Sequence, residues 1–317
     1  MWRGFRRWPA RVSDLPIIPN SERFLVLLNP KAAGVQPALL RRRIAGTMAM
    51  HGVAFDIVET QTEPEALGVV SRAAELGYRA VVAAGGDGTI ALALRATAGT
   101  DMPVAILPFG TGNQLALNLG IPDSLEDAIR VAVEGRTEAI DLGRVGGETF
   151  ALIAGAGLDA EVMASATTEL KHRIGVLAYF YSGLKHAIAG KSATYRIVAD
   201  GEEIEVQAAM VLLANAGLIG AGSLPMEVQI APRSDFQDGL LDVGVFAPRH
   251  LPDMAGMLWR MATKKYAGDE RIFFLQAKKV RIESDPEVAV QVDGEVRGTT
   301  PIEAEIQPLA GKILVPR

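Results

Sequence analysis

The stretch Val-Val-Ala-Ala-Gly-Gly-Asp-Gly-Thr at residues 81–89 decides the fold, because a short apolar run ends in three glycines around one carboxylate and a helical pattern follows. Gly85, Gly86 and Gly88 let the backbone approach a ligand closely, and the first turn of the helix offers unpaired peptide N–H groups. Asp87 would repel a phosphate unless a divalent cation lay between them, so the motif predicts a metal-nucleotide site. A turn that uses Gly and Asp only for their conformation stays open as the alternative.

Two further turns follow apolar runs. Residues 104–107 lead into Pro-Phe-Gly-Thr-Gly-Asn at residues 108–113, and residues 24–28 lead into Asn-Pro-Lys-Ala-Ala-Gly at residues 29–34. Right-handed crossovers return each strand in the same direction, so we expect these turns at one end of neighbouring parallel strands, facing one crevice. Lys31 is either a phosphate ligand or a solvated turn lysine.

The pattern from residue 23 to about residue 120 alternates between strands and helices, and so predicts an α/β domain with a parallel sheet. Ligands are expected at the carboxyl ends of its strands. Predicted strands lie at residues 24–28, 54–58, 80–84 and 104–107, and predicted helices lie at residues 37–50, 63–76 and 90–98.

Beyond residue 139 short strands separated by turn signals predict a β-rich, antiparallel, sandwich-like domain. Helical periodicity at residues 169–189 and 252–266 predicts two insertions, of which the second carries a methionine-rich face. Such a face is either core or the lining of an adaptable apolar pocket. The predicted strands are residues 140–145, 149–154, 194–199, 205–214, 241–246, 279–284 and 289–292. We therefore expect an N-terminal segment at 1–22, a nucleotide-binding domain at 23–138 and a substrate domain at 139–317.

Composition excludes several classes of protein. The chain has 317 residues, 49% of them apolar, which suffices for two cores, and a formal charge of -5 argues against a general nucleic-acid binder. Zero cysteines exclude disulfides and thiolate metal sites, and the four histidines show no zinc spacing. No apolar segment follows the N-terminal arginines, so we expect no signal peptide and a cytoplasmic protein.

The first dozen residues have the composition of a membrane-surface segment. Trp2, Phe5 and Trp8 recur at roughly helical spacing with arginines between them. Aromatic anchors with cations bind anionic headgroups. A frayed tail is the alternative, because Pro9 weakens any helix.

A metal-nucleotide site that transfers a phosphoryl group needs, besides the glycine-rich turns, carboxylates to hold metal and to accept the proton of the attacking hydroxyl. Asp141 stands where the chain leaves the first predicted domain, in Asp-Leu-Gly. Asp293 and Glu295 follow a predicted strand in Val-Asp-Gly-Glu, although Asp-Gly is also a common hairpin turn.

These motifs, with Asp-Gly-Leu-Leu-Asp-Val at residues 238–243, stand in the order and approximate spacing of the diacylglycerol kinase catalytic-domain family, which nearly the whole chain resembles. That family includes bacterial lipid kinases and sphingosine and ceramide kinases. The resemblance implies an alcohol-acceptor phosphotransferase with Mg²⁺ and ATP as co-substrate, and nucleotide between the two domains. A soluble dinucleotide kinase, NAD kinase, is the nearest rival because it resembles the chain in the Gly-Gly-Asp-Gly-Thr turn. A non-catalytic nucleotide- or lipid-sensing homologue is the second.

The resemblance also implies residue roles. Asp293, or Glu295 in second place, would be the base, Asp87 and Asp141 would lie near catalytic magnesium, and Asp87 would count with the catalytic groups. A structural cation would be held by Asp238 and by the backbone carbonyl of Leu240. The nucleotide would be bound by Asn29, Lys31, Gly85, Gly86, Asp87, Gly88, Thr89, Gly110, Thr111, Gly112 and Asn113.

Two departures from the family pattern bear on the site. Many bacterial members continue the second turn as Asn-Asp, where this chain has Asn113-Gln114, which removes a carboxylate from the acidic network. The turn at residues 29–34 lacks the common serine.

The expected partner is a membrane lipid whose acyl chains enter an apolar groove of the second domain, with peripheral contact at the inner face of the membrane. No nucleic acid is expected, and a homodimer stays open. Diacylglycerol, ceramide and a sphingoid base all present a hydroxyl beside long chains, so the sequence does not choose between them.

Overall fold

The computed structural model describes residues 22–30, 36–157, 192–220, 227–248, 250–265 and 271–317. The predicted basic N-terminal segment up to residue 21, Lys31 and the predicted helix at 169–189 lie outside these residues. The chain divides into two compact units, Met1–Ile140 with Ala310–Arg317, and Asp141–Leu309. We call them the first and the second unit.

The first unit is a parallel sheet with helices between its strands. In chain order the elements are β1 Arg23–Leu28, α1 Pro37–Met50, β2 Ala54–Glu59, α2 Glu63–Val70, β3 Ala80–Gly85, α3 Asp87–Thr97, β4 Val104–Pro108, α4 Gln114–Asn118 and α5 Leu125–Glu134. The strands lie in the order β2-β1-β3-β4. The last residues of a later strand, β18 Ile302–Val315, add to β4 through Ile313 and Val104.

Strands β3 and β4 are buried along their whole length, as continuous apolar runs in a parallel sheet must be. Two predicted helices have other bounds. Helix α2 ends at Val70, and residues 71–77 form turns. Helix α3 begins at Asp87, three residues earlier than expected, because Gly86 supplies its extended N-cap and a carboxylate in the first turn complements the helix dipole.

The second unit is an antiparallel β-sandwich. In chain order its elements are β5 Arg136–Val145, β6 Glu148–Phe150, β7 Ile153–Ala156, β8 Ala193–Ala199, β9 Glu202–Ala208, β10 Met210–Ala214, β11 Leu218–Gly220, β12 Glu227–Gln229, β13 Leu241–Phe246, α6 Leu251–Thr263, β14 Ile272–Ala277, β15 Lys279–Asp285, β16 Ala289–Val292, β17 Glu295–Thr299 and β18 Ile302–Val315. One sheet has the order β14-β13-β10-β7-β16-β17. The other contains β18-β15-β8-β9, with β5 paired to β18 and β6 paired to β5.

One buried apolar cluster joins the two sheets of this sandwich. Val211 and Val243 enter it from the first sheet, and Tyr195, Ile197 and Ile282 enter it from the second. A smaller cluster lies on the other face of the first sheet, where Met257 and Met261 of α6 pack with Met210, Phe246 and the β11–β12 hairpin. The methionine-rich stripe predicted from the sequence is therefore core at these two positions.

The sequence prediction missed several elements of both units. Helix α5 and strands β14, β17 and β18 were not anticipated. Strand β18 is fourteen residues long although it contains Pro308 and Gly311, which normally interrupt a strand. Leu309 takes a φ of 52° there, so the strand passes these residues with a local irregularity.

Candidate functional site

Three turns of the first unit meet at one edge of its sheet. Leu28 pairs with Ala84, and Gly85 pairs with Pro108, so β1, β3 and β4 end side by side. Asn29 continues this register, because its backbone N–H donates to the Ala84 carbonyl at 3.1 Å. The alternation of strands and helices predicts this convergence, and the structure confirms it.

The turns after β3 and β4 touch through glycine. A Cβ added to Gly110 would lie 2.5 Å from the Cα of Gly86, and a Cβ added to Gly86 would lie 3.1 Å from the Cα of Gly110. Real Cβ atoms do not come as close to backbone as the first of these contacts, so packing between the turns requires glycine at 110, whereas a Cβ at 86 would only be tight. Gly88 differs, because a Cβ there would meet nothing within 4 Å.

The first turn of α3 is therefore the open part of this edge. Gly88 is exposed at the second position of the helix, where a peptide N–H has no intrahelical acceptor. Thr89 is buried, and its hydroxyl accepts the side-chain N–H of Asn29 at 3.1 Å. Asn29 and Thr89, both predicted nucleotide ligands, thus link the turns after β1 and β3.

Asp87 caps the short helix α4. Its Oδ1 accepts the N–H of Leu115 at 3.1 Å, and the peptide N–H groups of Gln114 and Asn113 also interact with its carboxylate. Burial raises the pKa of Asp87, and these peptide donors partly offset the rise. Asp87 thus ties the turns after β3 and β4 together, a task that the sequence did not disclose.

The turn before α4 is closed by its own side chains. Asn113 takes a left-handed conformation, φ 48° and ψ 40°, and its Oδ1 accepts the N–H of Gly110 at 2.8 Å. Gln114 is 2% exposed, and its Nε2 donates to the Gly112 carbonyl at 3.0 Å. A carboxylate has no proton to donate to that carbonyl, so the amide suits this position better than the aspartate of other family members.

In the second unit, Asp293 occupies a two-residue hairpin turn between β16 and β17. Val292 pairs with Glu295, and Asp293 and Gly294 have φ angles of 45° and 88°. Successive positive φ angles are those of the hairpin turns that Asp-Gly favours. The hairpin alternative for this motif is therefore correct as geometry.

The Asp293 side chain is also held by backbone donors from another part of the chain. Its carboxylate accepts the N–H groups of Ala151 at 2.9 Å, Leu152 at 3.0 Å and Ile153 at 3.1 Å. These three peptide donors fix the orientation of the carboxylate. Gln291 supports the turn, because its Oε1 accepts the Gly294 N–H at 2.8 Å.

Glu295 is in a different environment from Asp293. It is exposed on β17, and its carboxylate accepts a hydrogen bond from Arg297 at 2.5 Å. Of the two predicted base candidates, only Asp293 has a side chain positioned by backbone groups.

Asp141 is fully buried inside the second unit. Its Oδ1 accepts the Leu309 N–H and its Oδ2 accepts the Gly239 N–H, both at 2.7 Å. Asn215 donates its Nδ2 to the carbonyls of Asp141 and Ala151, each at 2.9 Å. The carboxylate therefore holds distant segments together, and a role beside magnesium stays a prediction.

A cluster of acids surrounds the predicted structural-cation segment. The Oδ1 of Asp238 accepts the Leu240 N–H at 2.9 Å, and its Oδ2 accepts the Gln276 amide at 3.1 Å. Asp242, which the sequence did not single out, is 1% exposed, and its Oδ1 has no hydrogen-bond partner among the described residues. Burial, and then the charge of Asp238, raises the pKa of Asp242 to about 6.

No group of three or more His, Asp or Glu side chains is arranged to hold a metal ion within the described ranges. A protein cage for Mg²⁺ is therefore not formed by these residues. Mg²⁺ in nucleotide sites commonly takes one or two carboxylates, with phosphate oxygens and water completing its shell. Asp87, half-buried beside the turns after β3 and β4, fits that smaller contribution.

In the part of the chain that the structure describes, no helix has both the length and the apolar character needed to cross a bilayer.

Both units match known protein families. The sequence pattern of the diacylglycerol kinase catalytic domain matches residues 23–145, and that of the YegS C-terminal NAD kinase beta sandwich-like domain matches residues 153–315. A diacylglycerol kinase from Mycobacterium tuberculosis is 30% identical over 256 residues, 78% of this chain and 81% of that protein. An uncharacterized protein from Synechocystis is 30% identical over 240 residues, and the chain spans 54% of its length.

The fold is likewise similar to that of a solved structure. A protein from Bacillus anthracis str. Sterne, assigned as a diacylglycerol kinase, superposes with a TM-score of 0.78 and 25% identity, covering 93% of this chain and 97% of that one. The predicted architecture, a parallel α/β domain followed by an antiparallel β-sandwich, is confirmed.

Proposed function

The chain belongs to the diacylglycerol kinase catalytic-domain family and is accordingly a lipid kinase, a phosphotransferase with an alcohol group as acceptor; we propose that it uses ATP to phosphorylate a hydroxyl of a membrane lipid. The observation that supports this most is the edge of the first unit, where three turns meet and the α3 N-terminus opens to solvent beside Gly88. Peptide N–H groups at such an edge bind phosphate.

The nucleotide phosphates bind over Gly85–Thr89 and the turn that contains Gly110, Thr111, Gly112 and Asn113, with Asn29 and Lys31 at the third turn. Gly86 and Gly110 are already in contact, so the turns are preorganised and little backbone entropy is lost on binding. Magnesium, when bound with the nucleotide, neutralises phosphate charge, and Asp87 is the residue that would hold it. The contacts among the described residues of these turns support this proposal, and Lys31 lies outside them.

Asp293 takes the proton of the lipid hydroxyl in this proposal. The hydroxyl oxygen forms a bond to the γ-phosphorus, the bond from that phosphorus to the β–γ bridging oxygen breaks, and ADP leaves. The three peptide donors from Ala151, Leu152 and Ile153 hold the carboxylate in one orientation. Glu295, paired with Arg297, is less suited to this role.

The acceptor is diacylglycerol, ceramide or a sphingoid base, whose hydroxyl and long chains meet the chemical requirements equally. The apolar surfaces that would accommodate acyl chains belong to the second unit. We place the enzyme at the cytoplasmic face of a membrane, in peripheral contact with it.

The test is incubation of the purified chain with ATP, Mg²⁺ and a total lipid extract, followed by mass spectrometry of the lipids. We expect new species heavier by one phosphate group, and the same experiment with NAD in place of lipid serves as the control. Transfer to NAD instead of lipid would establish the dinucleotide kinase, and tight binding of Mg-ATP without transfer to any acceptor would establish a sensor.

A further inference from the structure

The outer face of α6 carries the one tryptophan among the described residues, and this side chain is 71% exposed. Met257 and Met261, two residues before and after it, are fully buried against the β-sandwich. Residues two apart in a helix point to nearly opposite sides, so Trp259 faces away from the core. A large aromatic side chain held in water has a cost that packing within this unit does not offset.

Trp259 has apolar neighbours on this face of the helix, and two cations follow directly after the helix ends. Pro252 and Ala255 are exposed at helical spacing before it. Lys264 and Lys265 are exposed after it, and neither lysine forms an ion pair with any described residue. We call Pro252, Ala255, Trp259, Lys264 and Lys265 the α6 outer face.

The only acid of α6 does not oppose this positive charge. Asp253 is 5% exposed, and its carboxylate pairs with Arg271 and with His250. No acidic residue occurs from residue 254 to residue 265. An aromatic anchor, an apolar stripe and lysines that pair with no described residue have the composition of a helix that lies in the interface of an anionic bilayer.

A second helix with exposed apolar residues and cations shows what distinguishes this face. Helix α1 exposes Leu39 and Met50 and carries three successive arginines. Its Arg41 pairs with Glu59, and its Arg43 lies 4.0 Å from Glu126, so acids of the same unit offset much of its charge. The exposed apolar side chains of α1, Leu39 and Met50, lack the polar N–H that keeps tryptophan at the headgroup level.

We propose that the α6 outer face docks on the surface of an anionic lipid bilayer, with Trp259 entering the headgroup region and Lys264 and Lys265 contacting anionic headgroups. This rests on the proposed function only in that the substrate is a membrane lipid. The docking holds the second unit at the surface from which a lipid must leave.

The first test reads the environment of Trp259 directly. In the full chain with Trp2→Phe and Trp8→Phe, Trp259 is the sole fluorophore of its kind. With vesicles of phosphatidylglycerol and phosphatidylcholine we expect a blue shift of its emission and protection from acrylamide, and little change with phosphatidylcholine alone. If the chain sediments with the anionic vesicles while Trp259 stays accessible to acrylamide, another surface binds and the proposal is wrong.

The second test compares matched charge reversals. Lys264→Glu/Lys265→Glu should weaken binding to the anionic vesicles on the order of 30-fold, since each basic residue near such a surface contributes about a factor of five to ten. Trp259→Ala should weaken it about tenfold. Arg42→Glu/Arg43→Glu on α1 makes the same change in net charge and should cost no more than about threefold by long-range repulsion. Equal losses in the two double variants would refute a specific docking face.

Transfer assays separate this proposal from the function on which it rests. Trp259→Ala should keep wild-type activity on lipid dispersed in detergent micelles and lose about tenfold on vesicles at low lipid concentration. If wild type is active and Trp259→Ala is equally active on vesicles, the docking face is refuted and the kinase stands. If wild type phosphorylates no lipid in either form while the fluorescence and charge-reversal results hold, the docking face stands and the lipid kinase function is refuted.

Discussion

In the first unit the turns after β1, β3 and β4 meet at one edge of the sheet, and in the second unit one edge of the first sheet carries Asp242 and Asp293. The contacts at the first edge are made mainly by backbone, and those at the second edge mainly by side-chain carboxylates. At the first edge Gly86 and Gly110 are in backbone contact, and the carboxylate of Asp87 accepts a peptide N–H at the start of α4. At the second edge Asp293 accepts three peptide donors, whereas Asp242 is buried and its Oδ1 has no hydrogen-bond partner in the part of the chain that the structure describes.

The difference teaches that an acidic residue near a site cannot be assigned a role from its type alone. Asp87, Asp141 and Asp293 all accept peptide N–H groups, so each has a structural task beside any chemical one. Burial raises the pKa of both Asp87 and Asp242. A raised pKa therefore does not by itself separate the predicted catalytic acids of this protein from its other acids.

The largest expected effect comes from Asp293→Asn, which tests whether the satisfied carboxylate is also the base. Asparagine tolerates the left-handed backbone conformation, so the turn should persist. Loss of the base should lower kcat for lipid phosphorylation by about 10²- to 10⁴-fold and leave ATP binding within about twofold.

The matched control for this change is Glu295→Gln, two residues away and exposed, which should keep kcat within about twofold. Retained turnover in Asp293→Asn, with the fold intact by circular dichroism, would contradict the assignment. Loss in both variants would show that the turn tolerates no change of charge.

The glycine contact of the first unit is tested by two alanine substitutions. Gly110→Ala places a Cβ 2.5 Å from the Cα of Gly86, so we expect a loss of about 2–3 kcal/mol in the free energy of unfolding. Gly88→Ala meets open space and should leave stability unchanged or raise it by up to about 1 kcal/mol.

Denaturant unfolding measures both variants, and ATP affinity separates packing from binding. If Gly88 lies against phosphate, Gly88→Ala should bind ATP more weakly although it is stable. Equal stability of the two variants would show that the contact between the turns yields easily.

Asp242→Asn tests the unsatisfied carboxyl through its pH dependence. The pKa of Asp242 is about 6 in the folded state against 3.8 as its ordinary value, so the folded state binds the proton more tightly between those values. The contribution of this group to the free energy of unfolding therefore falls as pH rises from about 4 to about 6, and stays low above that. The variant should be more stable than wild type by about 1–3 kcal/mol at pH 8 and about equal at pH 4.

Equilibrium unfolding in a chelating buffer measures this difference. Repeating it with added Mg²⁺ tests the predicted cation site at Asp238 and Leu240, because a bound cation would stabilise wild type at pH 8 and reduce the advantage of the variant. A variant less stable than wild type in chelator at pH 8 would contradict the assigned cause.

The smallest expected effect comes from Gln114→Asp, which restores the carboxylate of other family members. It removes the donor to the Gly112 carbonyl and places a second acid near Asp87, so we expect a loss of about 1–2 kcal/mol at pH 8 that shrinks as pH falls. Thermal unfolding at the two pH values measures it. Full stability at pH 8 would show that the turn adapts to either residue.

Local backbone chemistry was readable from the sequence because it acts over a few residues. The apolar runs of β3 and β4, the glycines that follow them and the Asp-Gly hairpin at residues 293–294 all follow from rules of short range. Strand β18 was missed because Pro308 and Gly311 satisfy the local criteria for a loop. Its residues before them pair with β15, and Ile313 after them pairs with β4. The cap of helix α4 was not predicted, because it comes from Asp87 in another turn.

The sequence by itself determined the order of the motifs, the two-domain architecture and the membership of a lipid kinase family. Only the tertiary structure decided what each carboxylate does. The donors that hold Asp87, Asp293 and Asp141 lie 28, 142 and 168 residues away along the chain in the bonds to Leu115, Ala151 and Leu309. Burial and partners at such separations depend on how strands pair and pack, and no local pattern of residue types encodes them.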